Sequence, residues 1–202
     1  MTRHAALALL LLAACVHLPN RQPDPTTDEG EWGEARAAAT RRATLFDGLD
    51  QKASASATWL SPEVREARAR RQGAWQAWTP AEVEAAVARE KADADADQFL
   101  LALYTNDRKA SDLEAKGSIW RVEAVWDGQP VRAAKVEVAE VDATQRQLFP
   151  YIGVFDVVYL IRVPHPAGVA GQPVLRLSSA LGRLELDFGP GGRDSGWPHQ
   201  FP

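Results

Sequence analysis

The sequence is poor in cysteine and histidine. Cys15 is the single cysteine among 202 residues, so the chain cannot build a disulfide framework. Of its four histidines, only His165 and His199 lie beyond the first few residues and the proline-rich stretch after them. A zinc site usually takes about three or four protein ligands. We therefore expect a fold held by its core alone, with no metal site and no cofactor.

The chain also lacks a hydrophobic run long enough to cross a bilayer, which takes roughly 20 residues. Residues 5–14 form the most apolar stretch, and the next candidate, 151–163, is interrupted by Asp156. The formal net charge is −4, whereas nucleic-acid binding depends mainly on basic side chains. These absences predict a chain without a membrane-spanning helix and without a nucleic-acid partner.

The beginning of the chain has the three-part layout of a secretory signal. Arg3 precedes the apolar residues 5–14, and small residues follow. The segment Leu12-Ala13-Ala14-Cys15 resembles the lipobox of bacterial lipoproteins. The resemblance covers the first 15 residues, and it implies removal of residues 1–14 and acylation of Cys15. An ordinary signal peptide with a coincidental cysteine is the alternative.

The residues after Cys15 bear on where such a lipoprotein would reside. Val16 stands where an aspartate would resemble an inner-membrane retention signal. The resemblance therefore implies an exported protein held by lipid on Cys15, at the periplasmic leaflet of the outer membrane. Residues 15–31 are rich in proline and acidic side chains and are typical of a flexible tether.

Residues 32–96 are predicted to be helical. Apolar residues from Trp32 onward recur with helical spacing, and Gly48 is a suitable helix end. The weak alternation in 53–60 indicates an extended link or an edge strand. Ser61 followed by proline predicts the start of a second helix. A capping box beginning at Thr79 predicts a third helix, which forms a hairpin with the second.

Residues 97–190 are predicted to be an antiparallel β domain. Apolar side chains alternate with polar ones, and about six strands can be counted. They are 99–105, 120–126, 134–138, 151–163, 174–178 and 184–188. The links are too short for crossover helices. We predict an α+β fold, with two to three N-terminal helices packed on an immunoglobulin-like sandwich and a Gly/Pro-rich tail at 191–202.

Two short motifs suggest chemistry, and both depart from their patterns. Asp194-Ser195-Gly196 resembles the nucleophile segment of trypsin-like serine proteases, but Trp197 replaces its last glycine and no histidine lies in a recognisable base-bearing segment. The acidic run 93–97 places Asp93, Asp95 and Asp97 as in the first half of a calcium-binding EF-hand loop, without its glycine and glutamate. We interpret the first as a tail and the second as an acidic helix exit.

Other candidates concern binding. The charged segment 104–118 joins two predicted strands and is either a solvated connection or a recognition loop. Trp75 and Trp78 are either core residues or an aromatic pair for a partner.

The absence of a local catalytic constellation favours a non-catalytic, lipid-anchored binding or adaptor module with an envelope protein as partner, and hence not an enzyme. An envelope or cell-wall hydrolase with dispersed carboxylates such as Asp156 and Asp187 is the alternative. A carrier of a small ligand or metal ion is a third hypothesis.

Overall fold

A computed structural model describes residues 29–92 and 96–192 of the chain. In chain order the helices are α1 (Gly30–Ala38), α2 (Pro62–Trp75), α3 (Pro80–Ala92) and α4 (Ala143–Leu148). The strands are β1 (Thr40–Asp47), β2 (Asp50–Trp59), β3 (Ala96–Thr105), β4 (Arg121–Trp126), β5 (Gln129–Arg132), β6 (Lys135–Val138), β7 (Val157–Pro164), β8 (Val174–Ser179) and β9 (Gly182–Asp187).

The strands form two antiparallel sheets. One has the order β1-β2-β3-β7-β6 and the other β5-β4-β8-β9. Inward side chains of both sheets share one core, in which the small Ala53, Ala55 and Ala57 of β2 accompany large residues such as Trp126 and Phe188. Interleaved small and large side chains allow two sheets to pack closely.

Helices cover the other face of the five-stranded sheet. Trp32 of α1 and Val64 of α2 pack with Leu100 and Val158 of the sheet, together with Phe149 after α4. The third helix packs on α2 through a smaller cluster of Ala69, Ala86 and Val87. The architecture therefore has three layers: helices, the five-stranded sheet and the four-stranded sheet. Among the described residues no helix is long and apolar enough to cross a membrane.

The α+β class and the antiparallel strands are confirmed, but two details of the prediction are wrong. The described residues contain nine strands rather than six, and α4 lies within the region expected to be all β. Strand pairing links the two predicted regions, because β2 pairs with β3 over Ala53↔Thr105 to Trp59↔Phe99.

The helix predicted from Trp32 to Gly48 is wrong beyond Ala38. Residues 40–59 form the β1–β2 hairpin, and Gly48 lies in its turn at φ +61°. A glycine with positive φ ends helices and also closes hairpins, so this signal was ambiguous. The alanines of β2 favour a helix in isolation, but pairing with β3 overrides that preference. Residues 53–59 are extended, as the alternation in 53–60 indicated, but they form neither a link nor an edge strand, because β2 lies between β1 and β3.

The chain changes sheets between β5 and β6. The Ala133 amide donates to the Val122 carbonyl of one sheet (3.0 Å), and the next amide, that of Ala134, donates to the Arg162 carbonyl of the other (2.9 Å). Val136 packs on the sandwich core, whereas Val138 is 53% exposed at the end of this edge strand. The crossover joins the two sheets without an intervening loop.

The predicted helix starts are confirmed. Ser61 Oγ accepts a hydrogen bond from the Val64 amide at 3.4 Å. The Thr79 amide donates to Glu82 Oε2 (2.7 Å) and the Glu82 amide donates to Thr79 Oγ1 (3.3 Å), which is the reciprocal capping box. The first helix begins at Gly30, inside the segment 15–31 that was predicted to be a tether.

Candidate interaction surface

Large hydrophobic side chains are exposed at one end of the sandwich. We call this set the apolar end; its members are Phe46, Leu49, Ile119, Val154, Phe155 and Leu181. Leu49 is fully exposed, and Val154 and Phe155 are 82% and 72% exposed. Among the described residues, one further large hydrophobic residue, Val138, is exposed, on the edge strand β6 opposite Tyr159.

Strand register shows that these residues share one end. The β1–β2 turn lies beyond the pair Ala53↔Thr105, and β7 begins at Val157, opposite Leu103. In the other sheet, β8 and β9 are joined beyond the pair Ser179↔Gly182. The backbone at Gly182 lies against Leu45 so closely that an added Cβ would be 2.7 Å from Leu45 Cδ1. The turns of both sheets are therefore neighbours.

A hydrogen-bonded turn presents Val154 and Phe155. The Gly153 amide donates to Asp156 Oδ2 at 2.7 Å, and the Asp156 amide faces the Gly153 carbonyl at 3.4 Å. An aspartate that bonds a backbone amide two or three residues away stabilises a compact turn. The two apolar side chains between Gly153 and Asp156 point outward as a consequence of this turn.

The β1–β2 turn presents Leu49 in a similar way. Asp47 and Asp50 form the last pair of the hairpin, and Lys52 Nζ lies 3.6 Å and 3.5 Å from their carboxylates. Gly48 supplies the positive φ that the turn needs. Turn positions usually carry small or polar residues, so a fully exposed leucine here serves no evident purpose within the fold.

A third turn contributes Leu181. The Leu181 amide donates to Ser179 Oγ at 3.0 Å, and Gly182 follows at φ +135°. Ile119 precedes β4, whose first residue, Arg121, pairs with Ser178. The apolar end is therefore built from separate short connections held by side-chain hydrogen bonds, a geometry that suits contact with another molecule.

Sequence reasoning missed this surface. Val154 and Phe155 were assigned to a single strand spanning 151–163, because an exposed apolar turn and a buried strand have the same composition. The signal that could have separated them is Gly153 followed by Asp156, since this pair is typical of a turn. For Leu49, the flanking Asp47 and Asp50 would have given the same indication.

The opposite end of the sandwich brings together two predicted candidates, Asp97 and His165. His165 Nδ1 lies 2.7 Å from Asp97 Oδ2, and Trp59 Nε1 donates to Asp97 Oδ1 at 2.9 Å. His165 Nε2 lies 3.0 Å from the Val169 carbonyl, and the Trp126 ring meets the imidazole edge-on at 5.5 Å.

Both imidazole nitrogens therefore face acceptors. The hydrogen bond to Asp97, followed by that to the Val169 carbonyl, raises the pKa of His165. A doubly protonated imidazole donates both bonds, whereas a neutral one donates only one. An imidazolium held in this way cannot accept a proton, so the geometry favours a structural bridge over a general base.

The carboxylates suggested for a dispersed hydrolase site do not converge. Asp156 lies at the apolar end, whereas Asp187 pairs with Val174 at the opposite end of the other sheet. Asp187 Oδ1 accepts a hydrogen bond from the Gly189 amide at 2.8 Å. This pair cannot flank one glycosidic bond, which requires carboxyl groups within about 10 Å.

The two tryptophans belong to different clusters. Trp75 is partly buried against the core beneath the helices, and the Arg71 guanidinium lies 4.8 Å from its ring centroid. Trp78 packs on the cluster between α2 and α3. Both side chains are partly buried at the edges of these clusters, so they do not form one exposed aromatic pair.

Internal hydrogen bonds hold the segment 104–118. Thr105 Oγ1 is 2.7 Å from Ser111 Oγ, and Ser118 Oγ donates to Asp112 Oδ1 at 2.9 Å. Trp120 Nε1 donates to the Ala110 carbonyl at 2.6 Å. The segment is thus a fixed connection between the sheets, and whether it recognises a partner stays a prediction.

The remaining predicted residues lie outside the described residues: Cys15, Asp93, Asp95, Asp194, Ser195, Gly196 and His199. Within the described ranges, no group of three or more histidine, cysteine, aspartate or glutamate side chains is placed to hold a metal ion. No protein-family model, curated protein or solved structure matches this chain.

Proposed function

We propose that the chain is a lipid-anchored envelope protein whose apolar end docks onto another envelope protein. The apolar end carries the proposal, because six of the seven exposed large hydrophobic residues in the described ranges gather there. Exposed apolar clusters on a monomer are typical of interaction sites. The lipobox-like segment ending at Cys15 supports the anchor and, with Val16, an outer-membrane location.

Charge favours a protein over a lipid surface as the occupant. Asp47 and Asp50 flank Leu49, and Asp156 follows Phe155. Insertion of these turns into a bilayer rich in anionic lipids would bring like charges together. A protein with an apolar patch and a neutral or basic rim would bury the same side chains without that repulsion.

Site-specific photo-crosslinking in intact cells tests the docking proposal. A photoreactive amino acid at Leu49 or Phe155 should yield a discrete protein adduct, identified by mass spectrometry. The same group at Gln129, an exposed position in the β4–β5 hairpin at the opposite end, is the control and should not. Adducts to lipid alone, or equal adducts from all three positions, would contradict a protein partner at the apolar end.

The anchor is tested separately. Metabolic labelling with a palmitate analogue should mark the wild-type chain and leave Cys15→Ala unlabelled. Each buried methylene contributes about 0.8 kcal/mol to membrane affinity, so Cys15→Ala should also move the chain out of the membrane fraction. A Cys15→Ala chain that still carries the label would exclude acylation at this cysteine.

A further inference from the structure

A cavity of about 190 Å³ lies where the chain changes sheets. One wall is the connection 113–118, and the other is the crossover segment 132–136. Trp120 and Val122 also line it. Because Ala133 and Ala134 are hydrogen-bonded to different sheets, the crossover wall is fixed in position.

Three cations line this cavity: Lys116, Arg132 and Lys135. Glu114 is the carboxylate among the lining residues, so the lining charge is +2 in a chain of net charge −4. All three residues are exposed, so their charges face the solvent around the cavity and attract anions to it.

Arg132 lacks the partner that its strand position would provide. It pairs in register with Glu123, but Arg121 Nε donates to Glu123 Oε1 at 2.6 Å. On the other side of Glu123, Arg176 instead donates to Glu185 Oε1 at 2.8 Å. Within residues 29–92 and 96–192, Arg132 forms no ion pair or side-chain hydrogen bond, and neither does Lys116.

The third cation, Lys135, is only partly neutralised. Lys135 Nζ is 2.8 Å from Glu137 Oε1, with both side chains substantially exposed.

We propose that this crossover pocket binds a small ligand through a phosphate or carboxylate group. The guanidinium of Arg132 offers the planar fork that suits such an oxyanion, and Lys116 and Lys135 add point charges. A free phosphate or carboxylate ion and the same group on a larger molecule would be recognised by the same three cations. This proposal is independent of the anchor and of the apolar end.

Nuclear magnetic resonance titration of the full chain tests the pocket, with inorganic phosphate in one arm and a sugar phosphate in the other. We expect saturable shifts of the amides of residues 113–118 and 132–136. In Lys116→Glu/Arg132→Glu the affinity should fall roughly tenfold or more, because charge-assisted hydrogen bonds are lost. Equal affinities for the two probes would identify a free anion, and tighter sugar phosphate binding a larger ligand.

Arg108→Glu/Lys109→Glu is the matched control, since it makes the same charge change at exposed residues of the same connection that do not line the cavity. It should retain binding. Shifts that do not saturate, or equal losses in both double variants, would overturn the pocket and indicate general charge screening. An absence of shifts with both probes would also overturn it. Amide dispersion identifies a misfolded variant, and Lys116→Gln/Arg132→Gln then replaces the charge reversal in the same titration.

Discussion

His165 and Asp97 connect the loop after β7 to the beginning of β3 through a 2.7 Å bond between Nδ1 and Oδ2. The Val169 carbonyl lies 3.0 Å from the other imidazole nitrogen. The bridge therefore joins three points of the backbone, and it is complete when the imidazole carries both protons.

The bridge predicts a pH dependence of stability. The pKa of His165 is raised in the folded state by Asp97 and then by the Val169 carbonyl. Its stabilising contribution is therefore fully present below the unfolded value of about 6.5 and is lost as pH rises through the folded pKa. The difference in unfolding free energy between wild type and His165→Gln should be larger at about pH 5.5 than at about pH 8.5.

The control for this prediction is Asp97→Asn, which leaves no carboxylate facing the imidazole. Nuclear magnetic resonance titration of the imidazole should give a midpoint above about 6.5 in wild type and a lower one in Asp97→Asn. Identical midpoints in the two proteins would show that Asp97 does not raise the pKa of His165.

Two phenylalanines of one connection should respond differently to truncation. Phe149 is fully buried and meets Trp32 edge-on at a centroid distance of 5.5 Å. Phe149→Ala should lower the unfolding free energy by about 3–5 kcal/mol. Phe155→Ala should change it by less than about 0.5 kcal/mol, because that side chain is 72% exposed. A large loss from Phe155→Ala in urea unfolding would mean that this residue belongs to the core.

Alanine substitution of two glycines tests how closely the two sheets approach each other. Gly48→Ala places an alanine at φ +61° with no atom within 4 Å, so backbone strain alone should cost about 1 kcal/mol. Gly182→Ala places an alanine at φ +135°, which L residues adopt less readily than φ +61°, and adds a clash with Leu45 Cδ1 at 2.7 Å, so it should cost about 1–3 kcal/mol more. Equal losses in thermal unfolding would show that Leu45 yields without cost.

The sequence predicted correctly those structural features that depend on residues only a few positions apart. The capping box of Thr79 and Glu82 is local, and the structure has it where the sequence predicted it. In 53–59 the sequence shows alanines alternating with small polar residues, and only pairing with β3 determines that these form a strand. Within the β1–β2 hairpin, the residues of β1 were therefore assigned to a helix, whereas the alternation in 53–60 did indicate an extended segment.

The candidate sites depended on contacts that no local pattern encodes. Asp97 and His165 meet because β3 pairs with β7 over Ala96↔Pro164. The cations at the crossover pocket meet because Ala133 and Ala134 bond to different sheets. The sequence showed each of these residues but not their neighbours, so it predicted neither the bridge nor the pocket.

The pairing order of the strands also determines how the chain can fold. The β1–β2 and β8–β9 hairpins close over short turns, so they can form early and with little loop entropy to overcome. The pairing of β3 with β7 closes a long loop, because all the residues from β4 to α4 lie between these two strands in the sequence. Since contacts distant in sequence slow folding, this pairing should be the rate-limiting step in forming the five-stranded sheet.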